Sequence, residues 1–317
     1  MTTVSATPLA VPLSPIKRKR RFWIAAGIAV ICAIAITVIK FQHWDDRLYF
    51  YLKSQVNASE WQGKSLWLPD YKVKIDAKPI AGLEQNLSSI VYDHDQDRLL
   101  AISNGPSELV ALNKTGEIIA HYPLVGFGDI EGIGYMGDGL IVMADERAQE
   151  LSFIQLPSQP GELNIKDAQY LSLGINLNGN KGFEGVSYDA ENDRLFVVKE
   201  RDPRQLYEVT GIKASLAGGL QLRINDLTQW IDQKVFATDL SAVHFDPITG
   251  HLAILSDESK LLVELSGEGK FVSFRTFLGG FSDLNKTAPQ AEGVTMDREG
   301  NLYMVSEPNL FYMFSKD

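Results

Sequence analysis

The sequence predicts an all-β protein: a β-propeller of five four-stranded blades, preceded by one transmembrane helix. Three observations lead there: a fivefold internal repeat, the number of strands in each copy, and one apolar run behind a basic cluster. The repeat is a two-strand phrase at residues 86–93, 129–135, 182–189, 239–246 and 290–297. After each copy come a turn and an apolar strand that closes on a polar or acidic residue. Taking Ser88, Glu131, Glu184, Ser241 and Glu292 as the marker, the spacings are about 43, 53, 57 and 51 residues. Self-similarity at that period means stacked supersecondary units, and a four-stranded propeller blade fits the length.

Residues 1–21 read as a basic cytoplasmic tail. Residues 1–41 contain no Asp or Glu and carry Lys17, Arg18, Lys19, Arg20, Arg21 and Lys40. From Phe22 to Ile39 the chain is uncharged and almost wholly apolar, about 18 residues, just enough to cross a bilayer as a helix. A cleaved signal peptide would have a shorter apolar core and then a small-residue site. Here the run ends on bulky and basic residues, Ile36 to Phe41, so residues 22–41 read as a retained single-pass anchor. The positive-inside rule keeps the basic cluster in the cytoplasm and places the rest outside, in the periplasm of a cell with an inner membrane. Residues 42–66 read as a juxtamembrane connector. Trp44, Tyr49, Phe50 and Tyr51 suit the aromatic belt, residues 45–55 suit a short helix, and Trp61 and Trp67 are expected to pack on the propeller.

Setting aside the six basic residues of the first 41 leaves 24 basic against 40 acidic residues, a net charge of about −16. Such a surface repels nucleic acid and anionic headgroups and favours cations or basic ligands. The single cysteine, Cys32, lies inside the anchor, so the outer domain has no disulfide or thiol chemistry. Burial alone must hold it together, which roughly 250 residues can supply.

Residues 67–317 form the propeller. Behind the first copy, residues 108–113 and 117–122 alternate as strands around Lys114-Thr115-Gly116, a hairpin signal. The second copy is followed by strands at 150–156 and 168–173, the third by 205–209 and 220–224, the fourth by 260–265 and 270–277. The fifth has only 309–315, so the strand it lacks is expected from residues 71–76, which alternate cleanly. An N-terminal strand completing the last blade closes the ring and hides two edges. A sixth, degenerate blade within the longer third or fourth unit is the alternative.

The runs NLSSIVYD, LLAISNGPSELVALN, GDIEGIGYM, VMADER, NKGFEGVSYD, VVKERDPRQLYEV, DLSAVHFDPITGHLAILSDES and QAEGVTMDREGNLYMVSEPNLFYMF resemble the bacterial SdiA-regulated family. The resemblance spans about residues 67–317, and the ordered succession is more specific than any single run. It implies a membrane-anchored propeller, distantly similar to NHL-repeat, lactonase-like and phytase-like propellers. It implies no particular activity.

The first strand of a blade lines the channel, so recurring acids become rings. One ring reads Ser88, Glu131, Glu184, Ser241, Glu292; a second, at the close of the next strand, reads Asn104, Asp145, Glu200, Asp257, Glu307. Seven carboxylates in one mouth repel and raise one another's pKa, and a divalent cation relieves this. The candidate metal ligands are Asn104, Glu131, Glu184, Glu200, Asp257, Glu292 and Glu307. Hard oxygen donors without a histidine or cysteine cluster select calcium, with magnesium second. Asp93, Asp189, Asp246 and Asp297 read as structural turn residues, and the glycines after Glu131, Glu184 and Glu292 as marks of tight packing. Glu146-Arg147 and Glu200-Arg201 repeat an acid–base pair that suits either anion recognition or an inter-blade salt bridge. His244 is the only histidine on an inner strand, either a packed residue or a general base.

No nucleophile elbow, phosphate loop or His-Glu-x-x-His occurs in the sequence. Two functions remain. One is a binding module whose acidic mouth takes a cationic or metal-bridged small ligand or a protein partner. The other is a metal-dependent hydrolase of lactone, ester or phosphoester type using the same funnel, with catalytic residues the sequence does not identify.

Overall fold

The computed structural model describes residues 15–41, 44–174, 177, 179–232 and 236–316. They divide into two compact units, one up to Leu48 and the other from Tyr49 onward. In the first, α1 (Pro15–Phe41) is one unbroken helix. Its stretch from Lys19 to Lys40 is long and apolar enough to cross a membrane, and none of it is buried. Between Phe22 and Ile39 the helix is uncharged and free of proline, so it satisfies its own backbone, as a hydrocarbon surround requires.

The second unit is a five-bladed propeller, which removes the six-blade alternative. Blade 1 pairs Gln85–Asp93, Arg98–Gly105, Ser107–Leu112 and Ile118–Val125 in order. Blade 2 is Ile130–Gly137, Leu140–Asp145, Glu150–Gln155 and Gln169–Ser172; blade 3 is Phe183–Asp189, Arg194–Lys199, Gln205–Thr210 and Arg223–Asp226. Blade 4 is Ala242–Asp246, His251–Ser256, Leu261–Leu265 and Phe271–Thr276. Blade 5 has Gln290–Met296, Leu302–Glu307 and Leu310–Ser315, and takes its outer strand from Lys72–Pro79, which pairs antiparallel with the last of these. The closing strand is therefore the one the alternating sequence predicts. Blade 1 departs from four strands: Leu163–Asn164, in the long connection of blade 2, adds a short parallel fifth.

Side chains of the inner strands alternate between the two neighbouring blades. Ile90, Ile133, Val186, Val243 and Val294, two residues after the marker, each pack into the cluster shared with the preceding blade. The residue one after the marker faces the following blade and must be small. A Cβ on Gly185 would lie 2.7 Å from Ala242 Cα and 2.8 Å from Val243 N; one on Gly293 would lie 2.6 Å from Ile90 N. One on Gly132 would lie 2.9 Å from the Glu184 carbonyl oxygen. Ser89 fills the same place in blade 1, and its Oγ accepts from Ile133 N at 3.3 Å. These contacts hold the inner strands close enough for five blades to close.

The turn aspartates behave as structural residues. The Asp93 carboxylate accepts from Asp95 N and Gln96 N at 3.1 Å and from Arg98 Nε at 2.8 Å. Asp189 repeats this with Glu191 N, Asn192 N and Arg194 Nε. Asp246 accepts from Ile248 N and Thr249 N, and Asp297 from Asn301 N and the Tyr303 hydroxyl. Each carboxylate thus supplies the acceptors that its tight turn lacks.

Ahead of the propeller, α2 runs Trp44–Trp61. The sequence groups Phe50 with Tyr49 and Tyr51 at a membrane interface, but the Phe50 ring is buried against Phe236 and Phe271, with centroids 4.7 Å apart in both pairs. Tyr49 and Tyr51 remain exposed. The chain then ties to blade 4 through Glu264, whose fully buried carboxylate accepts from Leu66 N at 2.8 Å, Trp67 N at 3.0 Å and Ser273 Oγ at 2.7 Å. Trp67 is buried as expected.

The close approach at Gly185 gives a direct test. Gly185→Ala forces the inner strands of blades 3 and 4 apart and is expected to cost about 1–3 kcal/mol, as overpacking does, read as a lower urea midpoint. Unchanged stability would show that the strands can separate freely.

Candidate functional site

The marker residue sits at a β-bulge in four of the five blades. Pairing skips from Leu87↔Ser103 to Ser89↔Ile102 in blade 1 and from Ile130↔Asp145 to Gly132↔Ala144 in blade 2. It skips likewise across Glu184 in blade 3 and Glu292 in blade 5. An extra residue in one strand re-aims its side chain. A regular inner strand points its side chains sideways into the blade interfaces, so the bulge is what turns Glu131, Glu184 and Glu292 toward the axis. They line one cavity of about 470 Å³ together with Glu146, Glu200, Asp239, Asp257, Glu258 and Glu307.

The second ring needs one correction. Asp145 does not line this mouth; its Oδ1 accepts from Ala148 N at 2.8 Å and caps its own turn. Glu146 takes the place. Its N–H donates to the Asp129 carbonyl at 2.9 Å, as Glu200 N donates to the Gly182 carbonyl at 2.9 Å, so these two glutamates are the equivalent pair. Asp145 is instead the counterpart of Lys199: each is the last residue of its strand, paired with Ile130 and Phe183 respectively. A Cβ on Gly182 would overlap the Glu146 carbonyl oxygen, so glycine there lets blades 2 and 3 bring Glu146 and Glu184 together.

Carboxylate oxygens gather in two triads, Asp129–Glu131–Glu146 and Glu146–Glu184–Glu200, each within 4.8 Å of one another. Glu146 belongs to both. Of the seven ligands expected from sequence, Glu131, Glu184 and Glu200 fall in these triads. Asn104 instead donates to Glu131 Oε1 at 2.8 Å and to the Ile130 carbonyl at 3.0 Å. Asp257 is paired with Lys260 at 2.6 Å and accepts from Ala291 N at 2.7 Å. Glu292 accepts from Gln290 at 2.7 Å, and Glu307 lines the same mouth outside the triads. The ring serines serve the frame: Ser241 Oγ accepts from Asp257 N at 2.9 Å.

Electrostatics follow from burial. Glu131 is pushed up to about 8, first by burial and then by the charges of Asp129 and Glu146, against the hydrogen bonds of Ser88 and Asn104. Burial takes Glu292 to about 8 and Glu200 to about 7, the latter despite Arg201. Glu184, only 9 % exposed, is held well above the carboxylate range by burial and then by Glu131, Glu292, Glu146 and Glu200. Burial also raises Glu146, Asp239 and Glu307. Among the described residues one cation lines the mouth: Arg201, paired with Glu200 at 3.1 Å and with Glu258 of the next blade. It is an inter-blade salt bridge, whereas Arg147 pairs within its own blade with Asp129 at 2.8 Å.

His244 takes no part in this mouth. It is buried on the inner strand of blade 4 and lines a different cavity, and burial pulls its imidazole down to about 4. Besides Glu258, three carboxylates of the site were not read as ligands from sequence: Asp129, Glu146 and Asp239. For Asp129 and Asp239 the signal was present, since both open their copies of the repeat; Glu146 aligns with Glu200 only once the strand ends are matched by hydrogen bond.

Among solved structures, the chain is similar to one in the crystal structure of a nidogen/laminin complex, with 14 % identity, a TM-score of 0.44, and 70 % of this chain and 73 % of that one covered. It is also similar to virginiamycin B lyase from Staphylococcus aureus, with 13 % identity, a TM-score of 0.40, and 74 % and 68 % covered. The SdiA-regulated family matches residues 63–315, the whole propeller and the segment leading into it. The chain belongs to the SdiA-regulated family.

Proposed function

We propose that this protein is a membrane-anchored binding module whose acidic mouth holds a divalent cation, calcium by its donor chemistry, and through it a cationic or metal-bridged ligand or protein partner. The observation that carries this reading is the sharing of Glu146 by two carboxylate triads on adjacent blades. Glu131, Glu146, Glu184, Glu200 and Asp129 would hold the ion. All are hard oxygen donors, and a carboxylate set of this kind suits calcium ahead of magnesium because calcium accepts more ligands in looser geometry. In this reading α1 spans the inner membrane with its amino end in the cytoplasm and the propeller in the periplasm, as the basic cluster in its first turns favours.

A second reading is a hydrolase of lactones, esters or phosphoesters. It is favoured by Glu292, a carboxyl outside both triads whose pKa of about 8 suits proton transfer near neutral pH. A bound cation would polarise the carbonyl or phosphoryl oxygen. Calcium-dependent turnover of aryl esters, lactones or phosphoesters that disappears in Glu292→Gln would establish it; no turnover across the panel leaves the binding module.

Calcium at a hundredfold its Kd is expected to stabilise the fold by about 2.7 kcal/mol, a rise in Tm of roughly 5–10 °C for a domain of this size. Glu146→Gln should abolish the rise, and Glu184→Gln should reduce it. A melting curve indifferent to calcium, on protein first stripped with chelator, would remove the proposal.

The pH dependence has a definite sign. The unfolded chain releases these glutamate protons near pH 4.5, whereas Glu200 holds its proton to about 7 and Glu131 and Glu292 to about 8. Their contribution is therefore fully present below about pH 4.5 and is lost as pH rises toward 8. Stripped protein is expected to melt lower at pH 8 than at pH 5.5, and calcium, which binds the ionised form, to remove most of that slope. A stripped protein that gains stability over this range would contradict the assignment.

A further inference from the structure

The inner strands end in a second cavity, of about 380 Å³, to which all five blades contribute. It lies at the opposite end of the strands from the carboxylates, four residues further on, about 13 Å at roughly 3.3 Å per residue. The repeat supplies its wall: Tyr92, Tyr135, Tyr188, Phe245 and Met296 occupy one equivalent position, and each is buried.

The tyrosine hydroxyls are already committed. Tyr92 donates to Asp97 at 2.6 Å, Tyr188 to Asp193 at 2.8 Å, and Tyr135 to Asp95 at 2.6 Å. Held by their tips to turn carboxylates, the rings offer the cavity hydrocarbon rather than hydroxyl. The hydroxyl oxygens of Ser187 and Thr295 each accept a backbone bond, from Phe245 N at 2.8 Å and Tyr92 N at 3.1 Å. His244 differs. It lines the cavity at 9 % exposure, and its buried Nε2 has no hydrogen-bond partner among the described residues. A buried polar atom left so is costly, and a ligand group can satisfy it.

We propose that this cavity is a second binding site, for a small uncharged molecule with an apolar ring and one hydroxyl or amide group. Its ring would lie against the aromatic wall and its polar group on the His244 imidazole. The volume is in the range of small-ligand pockets, which join mostly apolar walls to a few placed polar groups. An uncharged ligand fits because the carboxylates of Asp246 and Asp297 are spent on their own turns, while Glu191 and Arg298 at the cavity are opposite in charge. Burial keeps the imidazole neutral at pH 7, with one nitrogen to donate and one to accept.

The test uses the full chain in phosphatidylcholine nanodiscs, with empty nanodiscs as blank and fluorine NMR as readout. The probes are 4-fluorophenol, 4-fluorotoluene and 4-fluorobenzoate. Saturable binding of the phenol, about three- to tenfold tighter than the toluene, is expected from one added hydrogen bond. His244→Phe should remove that difference and leave toluene binding intact, while Met296→Trp, which fills the cavity, should weaken both. Equal affinity of phenol and toluene in the unmodified protein, tighter binding of benzoate, or no saturable binding above the blank would each overturn the proposal. The comparison of probes on the unmodified protein stands even if a variant fails to fold.

Discussion

Five inner strands must approach one another closely around the axis, and the rest of the molecule depends on how that is done. Glycine, serine or alanine after the marker removes the side chain that would hold neighbouring blades apart, as the contacts at Gly132, Gly185 and Gly293 show. The preceding residue is then displaced into a bulge, and the same local geometry that permits packing also aims a side chain at the channel. Close packing and the acid ring are therefore one device. Branched residues one step further on fill the interface with the preceding blade, and the aspartate turn ends the strand.

That device collects carboxyls where they are costly to charge. Coulomb repulsion and desolvation act in the same direction at Glu184, and neither Asn104 nor Arg201 offsets them for the whole mouth. Two responses are open to such a cluster: hold protons at neutral pH or hold a cation. The triads centred on Glu146 favour the cation, because oxygens from separate blades converge on it while Arg147 and Arg201 pair with the outer members, Asp129 and Glu200.

Much of this was legible in the sequence. The repeat gave the blade number, and alternation at residues 71–76 gave the closing strand, because both depend on side-chain period alone. The register of the second ring was not legible: Asp145 and Glu146 are adjacent acids, and only the hydrogen bond from Glu146 N to Asp129 shows which one occupies the mouth. Phe50 misled for a related reason. An aromatic residue beside an apolar helix reads as interfacial, while its partners Phe236 and Phe271 are about 200 residues away in the chain. Asp257 lines the mouth, and the pairing that Lys260, three residues on, makes with it is a contact the repeat does not display.

The two ends of the axis differ in chemistry although they are built from the same five strands. One gathers charge through the bulges; the other gathers rings through a position four residues later. The central claim, that the acidic end is a cation site, is tested most directly by an anomalous difference map from crystals soaked in calcium. The account predicts a peak about 2.3–2.6 Å from oxygens of Glu146 and of at least one triad partner on each side. Carboxyls bonded to one another through shared protons, with no peak at saturating calcium, would contradict it.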